Sequence, residues 1–218
     1  GCAVISPPGP GETVARVGYT GAGKTALPAL RPRLYDIAGG EVLLDGGSVS
    51  NLDRAEISKR VALVPQRPYL CSGTIEHHLR FGKTEATDQE LWDALQIAQG
   101  GDFVREKKNG LDARIAQGGT NVSGGQRQRL CIARALITKP KVYLFDDSFS
   151  ALDVATDARL RAALKQTTAD ATVIIVAQRI STITDADQIL VLDNGRIVDR
   201  GTHEELLETS PTYQEIVE

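Results

Sequence analysis

The sequence has no methionine, three cysteines, one tryptophan and no long apolar run, and each shortage excludes something. Cys2, Cys71 and Cys131 are odd in number, widely separated and outside any CxxC pair, so a disulfide framework does not hold this chain together. A reducing compartment, by default the cytosol, is expected. The longest apolar runs, such as Val173 to Ala177, fall far short of the roughly 18 residues that a bilayer span requires, and no signal-peptide pattern opens the chain. If the protein serves a membrane, other segments supply the spanning part. No block of basic residues stands out: 25 lysines and arginines against 28 acidic residues leave a net charge of −3, so neither nucleic acid nor an anionic lipid surface is indicated as a partner. What remains is 218 residues, 41% hydrophobic and 24% charged, the profile of one soluble globular domain. A chain of this length buries roughly 70% of its unfolded surface and needs no structural metal.

Short apolar runs without polar alternation, VYLF at 142–145, VIIVA at 173–177 and ILVL at 189–192, predict strands buried on both faces of a parallel sheet. Helix starts are signalled by capping boxes at Thr87 with Glu90, Ser123 with Gln126 and Thr202 with Glu205. Strands and helices alternate, so the class is α/β. Between about 74 and 138 helical patterns run with little strand signal, which predicts a helical subdomain over about 71–138 inserted into a sheet core of about 1–70 and 139–218. Asn194-Gly195 separates ILVL from RIVD and predicts a hairpin. His77, His78 and His203 lack metal-ligand spacing and are expected in surface or capping roles, Trp92 on the core face of a helix, and the charged stretch 203–218 as a solvated helix pair.

GYTGAGKT, Gly18 to Thr25, matches G-x-x-x-x-G-K-[ST], follows the strand-like TVARV and opens a helical pattern. Gly21 and Gly23 let backbone N–H groups converge on phosphate oxygens at a helix N-terminus, Lys24 reaches the β and γ phosphates, and Thr25 offers a hydroxyl to Mg²⁺. Asp146 and Asp147 directly follow the apolar strand VYLF, where an open α/β sheet keeps its ligand crevice. Asp146 would hold Mg²⁺ through water, and Asp147 would orient or deprotonate the attacking water. VSGGQRQRL puts Ser123, Gly124, Gly125 and Gln126 at a helix start as a second anion site. An ordinary capped helix explains the serine and the glutamine; it does not explain paired glycines, which weaken a helix by about 1 kcal/mol each.

GYTGAGKT, VPQRP at 64–68, SGGQ, FDD and SALD, in this order, resemble the nucleotide-binding domain of ATP-binding-cassette (ABC) transporters over nearly the whole chain, and exporter-type domains in particular. The resemblance implies a P-loop NTPase (RecA-like) core, ATP and Mg²⁺ as cofactors, and a place on the cytoplasmic face of the plasma membrane beside transmembrane domains. It implies ATP contacts from Gly18, Thr20, Gly21, Ala22, Gly23, Lys24 and Thr25, a Q-loop glutamine at Gln66 that senses Mg²⁺ and the membrane domain, and a D-loop residue, Asp153, that meets the opposite subunit. Ser123 to Gln126 would close over the ATP of a second nucleotide-binding domain.

Departures from the family pattern carry as much information. Members that hydrolyse well have Glu and His where this chain has Asp147 and Gln178. The shorter carboxylate is withdrawn by about 1.5 Å, and glutamine hydrogen-bonds without titrating. This pair of changes beside an intact SGGQ resembles the degenerate-site half of heterodimeric bacterial multidrug exporters, so a non-identical partner and slow turnover at this chain's own site are expected. Before Gly18 there is no aromatic residue to stack on adenine, Arg16 falls within a strand, Pro28 and Pro32 fall where a helix should run, and Ala26 replaces a hydroxyl that the family commonly aims at phosphate. Weak ATP affinity and an N-terminally truncated chain are the corresponding expectations. A non-hydrolysing, nucleotide-gated regulatory module and a soluble, non-transport cassette ATPase are the alternative readings.

Overall fold

The uninterrupted apolar runs become strands of one sheet. A computed structural model of the chain describes residues 13–18, 43–44, 47–48, 61–70, 72–177, 179–193 and 196–218. Its main sheet is formed by β1 (Thr13–Gly18), β4 (Val61–Val64), β7 (Val142–Asp146), β8 (Thr172–Val176), β9 (Gln188–Asp193) and β10 (Arg196–Gly201). Two short pairs complete the numbering: β2 (Leu43–Leu44) with β3 (Gly47–Ser48), and β5 (Gly73–Thr74) with β6 (Arg114–Ile115). The sheet order is β10-β9-β1-β8-β7-β4, parallel throughout except for β10, which returns antiparallel beside β9. β7 and β9 are buried along their apolar residues on both faces, as helix-covered parallel strands are. The mixed α/β class is therefore as the sequence predicts. β10 has a register shift between Ile197 and Asp199, and Val198 within it is exposed.

Among the described residues the α-helices are α1 (Ile75–Arg80), α2 (Asp88–Ile97), α3 (Gly101–Glu106), α4 (Gly124–Ile137), α5 (Val154–Thr167), α6 (His203–Thr209) and α7 (Pro211–Val217). All three predicted capping boxes form, at Thr87, Ser123 and Thr202. Among the described residues α4 packs against α1, α2 and β4, and its buried stretch from Leu130 to Ala133 joins the helical region to the sheet core.

Three expectations change. The β5–β6 pairing lies inside the stretch expected to be helical; two residues per strand are too few to leave a periodic signal. The terminal helix pair is not simply solvated: Tyr213 is fully buried, its hydroxyl lies 2.6 Å from His203 Nδ1, and Ser210 Oγ donates to Asp199 on β10 at 2.6 Å. His78 is buried rather than superficial, and its Nε2 has no hydrogen-bond partner among the described residues. Trp92 packs half-buried against the core with the Arg105 guanidinium 5.0 Å from its ring centre. Cys131 is a free, buried thiol that burial pushes up to about 11. Cys2, Cys71, Ala26, Pro28, Pro32, the Arg16 side chain and the Asn194-Gly195 turn lie outside the described residues.

Burial first, then the positive charges of Arg134 and His77, hold the His78 pKa down from 6.5 to about 3. The unfolded chain therefore binds this proton first, so the contribution of His78 is intact above pH 6.5 and is lost as pH falls from there toward 3. By pH 5 the loss is about 2 kcal/mol. Urea unfolding at pH 7 and pH 5 should show this loss in the wild type and not in His78→Leu; equal pH responses of the two proteins refute it.

Candidate functional site

Because β1, β8, β7 and β4 are parallel and in adjacent register, they end along one edge of the sheet. There β1 delivers Gly18, β7 delivers Asp146, and β4 leads through Pro65 to Gln66. This edge is where open α/β sheets bind ligands. Thr20, Gly21, Ala22, Gly23, Lys24 and Thr25 follow Gly18 but lie outside the described residues, as does Gln178, which follows the end of β8.

At the end of β7 the backbone turns sharply. Asp147 has φ +50°, a left-handed conformation that aspartate tolerates better than most residues, and its N–H donates to the Val176 carbonyl at 2.7 Å. The next residue, Ser148, is fully buried and donates its hydroxyl to the Val64 carbonyl. The acidic turn is thus fixed to β8 on one side and to the end of β4 on the other. Asp146 is half-buried; burial, and then the neighbouring Asp147 charge, hold its pKa above the usual carboxylate value. A group in that position gains from a cation beside it.

The loop then runs through Phe149, Ser150, Ala151 and Leu152 to Asp153. Asp153 caps α5, its carboxylate accepting from the Thr156 N–H and the Thr156 hydroxyl, both at 2.8 Å, which lowers its pKa. Its exposed carboxylate therefore has a local structural task. At the start of α4, Ser123 Oγ accepts from the Gln126 N–H at 3.1 Å while Gln126 Oε1 accepts from the Ser123 N–H at 3.0 Å. No acceptor among the described residues takes the amides of Gly124 and Gly125. The glycines also have a packing aspect that the sequence does not reveal. A Cβ on Gly125 would lie 3.1 Å from the Ala151 carbonyl oxygen, closer than ordinary contact, whereas one on Gly124 would lie 3.5 Å from Ala151 Cβ. Close approach to the 149–152 loop thus accounts for the second glycine and not for the first.

Sequence reading missed the residues that brace this loop. Gln128, buried on α4, bonds to the backbone of Gln66 and to Ser150 and Ala151. Arg179, next after Gln178, donates to the carbonyls of Phe149 at 2.6 Å and Leu152 at 3.2 Å, and to Asp157 Oδ2 at 3.0 Å. Asp157, buried, also accepts from Arg161 Nε at 2.8 Å and from the Thr182 hydroxyl at 3.1 Å. One signal was available: Gln128 shares a helical face with the apolar Cys131 and Ile132, three and four residues on.

Residues 9–150 match the ABC transporter family. The chain belongs to the ABC transporter family. It is 53% identical over 209 residues to an uncharacterized ABC transporter ATP-binding protein of Mycobacterium bovis, covering 94% of this chain and 36% of that protein. It is 39% identical over 206 residues to a Staphylococcus aureus protein named, provisionally, as a multidrug export ATP-binding/permease protein, again covering 94% of this chain and 36% of the relative. Among solved structures, that of a bacterial Atm1-family ABC exporter with ATP bound matches with a TM-score of 0.88 at 35% identity, covering 94% of this chain and 36% of that one. This ABC transporter chain thus spans about a third of the length of these relatives. It corresponds to the family's ATPase domain, with exporter-type neighbours. Among the described residues no helix is long and apolar enough to cross a membrane.

Proposed function

We propose that this chain is the ATP-binding and ATP-hydrolysing unit of an exporter, working on the cytoplasmic face of the membrane beside transmembrane domains and a second, non-identical nucleotide-binding domain. The observation that carries the reading is the shared sheet edge, where Gly18, the Asp146–Asp147 turn and the segment leading to Gln66 meet.

The donor set expected at that edge, the Thr25 hydroxyl, the Gln66 amide oxygen and the Asp146 carboxylate, is all oxygen and suits Mg²⁺. Asp146, raised by burial and by its acidic neighbour, fits the cation. Held there with ATP, the ion would supply neutralisation of the triphosphate charge. Lys24 and the amides of the Gly18–Thr25 loop hold the triphosphate, while Gln178 hydrogen-bonds the γ phosphate without exchanging protons with it. Asp147 orients the attacking water from a carboxylate set back by about one carbon–carbon bond, about 1.5 Å, so turnover at this site is slow. The Gly124 and Gly125 amides, at a helix start braced on the 149–152 loop, serve the ATP held by the partner domain. Tyr69, 64% exposed and three residues beyond Gln66, offers an aromatic contact to the membrane domains.

The test is turnover in the intact transporter, with the partner domain bearing Glu and His at the positions of Asp147 and Gln178. Ser123→Arg, which fills the helix start, is expected to lower phosphate release at least about tenfold, or 1.4 kcal/mol, without loss of ATP from this chain's own site. Undiminished turnover would exclude the shared site. ATP binding with no hydrolysis in any pairing favours the regulatory-module alternative, which Asp147 and Gln178 motivate.

A further inference from the structure

Gln128 is 2% exposed on the inner face of α4, two residues beyond Gln126. Its Nε2 donates to the Gln66 carbonyl at 3.2 Å and to Ser150 Oγ at 3.2 Å, and its Oε1 accepts the Ala151 N–H at 3.0 Å. One side chain therefore joins three segments: the helix whose start is Ser123–Gln126, the segment that carries Gln66, and the loop that ends in Asp153. A buried amide is costly unless its donors and acceptor are used, and here both kinds are. An aliphatic residue would satisfy the same helix face, whose other members are apolar. What the amide adds is direction. Its bonds hold only while all three segments keep their mutual positions, since a displacement of a few tenths of an ångström at either loop takes a 3.2 Å contact past hydrogen-bonding distance.

We propose that Gln128 is a positioning residue that makes the placement of the α4 start and of the 149–152 loop depend on the placement of Gln66. The inference rests on the shared-site reading above: Gln66 attends this chain's own ATP, whereas Ser123–Gln126 and Asp153 face the partner's. Gln128 is then the physical link by which occupancy of one site sets the geometry offered to the other, and the segments it ties form a contiguous element that both sites bias. The link runs through the Gln66 backbone, so it reports where that segment sits and not which groups its side chain touches.

The test uses Gln128→Met, which keeps the buried length and removes all three bonds, in the intact transporter with its partner domain. Expected are a kcat lowered about tenfold and an ATP affinity, from equilibrium nucleotide binding, within about twofold of wild type. A packing role alone would lower both together or neither, and either outcome overturns the proposal. Should Gln128→Met not fold, Ser150→Ala decides: Ser150 is exposed, and losing its hydroxyl should lower kcat about threefold at unchanged affinity. An unchanged kcat there also overturns the proposal. Ser123→Arg, run alongside, separates the two readings: if it silences the pair while Gln128→Met does not, the shared site stands and the link falls. If neither moves turnover, both fall.

Discussion

Replacing Asp147 by Glu together with Gln178 by His should raise ATP turnover at this chain's own site by about 10²-fold, the scale on which a carboxylate misplaced by about 1 Å is felt. The backbone gives the argument its footing. Asp147 N–H is bonded to Val176, and the following Ser148 is fastened to Val64, so the Cα at 147 cannot advance to compensate for a short side chain. One added methylene is then delivered to the carboxylate. The same feature imposes a cost: at φ +50° glutamate lacks the local hydrogen bonding that makes aspartate tolerable, so Asp147→Glu should lower unfolding stability by up to about 1 kcal/mol while raising the rate. Phosphate release should be measured in a pair whose other domain carries an inactivating Glu→Gln change, so that only this site is counted. A double variant no faster than wild type would remove the argument for a weakened site.

The second large effect is on stability. Asp157→Ala should cost about 3 kcal/mol, the lower end of the range for breaking a buried ion cluster by removing one partner. Its carboxylate is 3% exposed and is the shared acceptor for Arg161, Arg179 and Thr182. The lower end applies because the Arg179 side chain, 35% exposed, can recover part of its hydration. Arg179 also holds the Phe149 and Leu152 carbonyls, so loss of Asp157 should loosen the 149–152 loop as well. Asp157→Asn, which keeps an acceptor, should fall between the two. Urea unfolding of the three proteins checks this, and a loss below about 1 kcal/mol for Asp157→Ala would show that solvent already does the work of the carboxylate.

What could be read in the sequence was what acts locally. VYLF and ILVL declared themselves as doubly buried strands because no polar residue interrupts them, and Thr87, Ser123 and Thr202 declared helix starts because a capping box closes within four residues. The acidic pair after VYLF marked the end of a strand for the same reason. Long-range bonds left no such trace. Ser148 reaches across 84 residues to Val64, Gln128 across 62 to Gln66, and Arg179 across 30 to Phe149. Serine, glutamine and arginine in those places look like solvated turn and helix residues until the sheet order brings the segments together. His78, expected at the surface or in a cap for want of metal-ligand spacing, and the charged stretch 203–218, expected to be solvated, differ for the same reason: tertiary packing puts His78 and Tyr213 inside.

The register shift in β10 bears on how this domain avoids adhering to its own copies. A flat strand at the margin of a sheet is a template for a foreign strand, but here the ladder is interrupted at Val198, and Asp199 and Arg200 give the outer strand charge of both signs. Continuous sheet growth from chain to chain is thereby blocked at this margin.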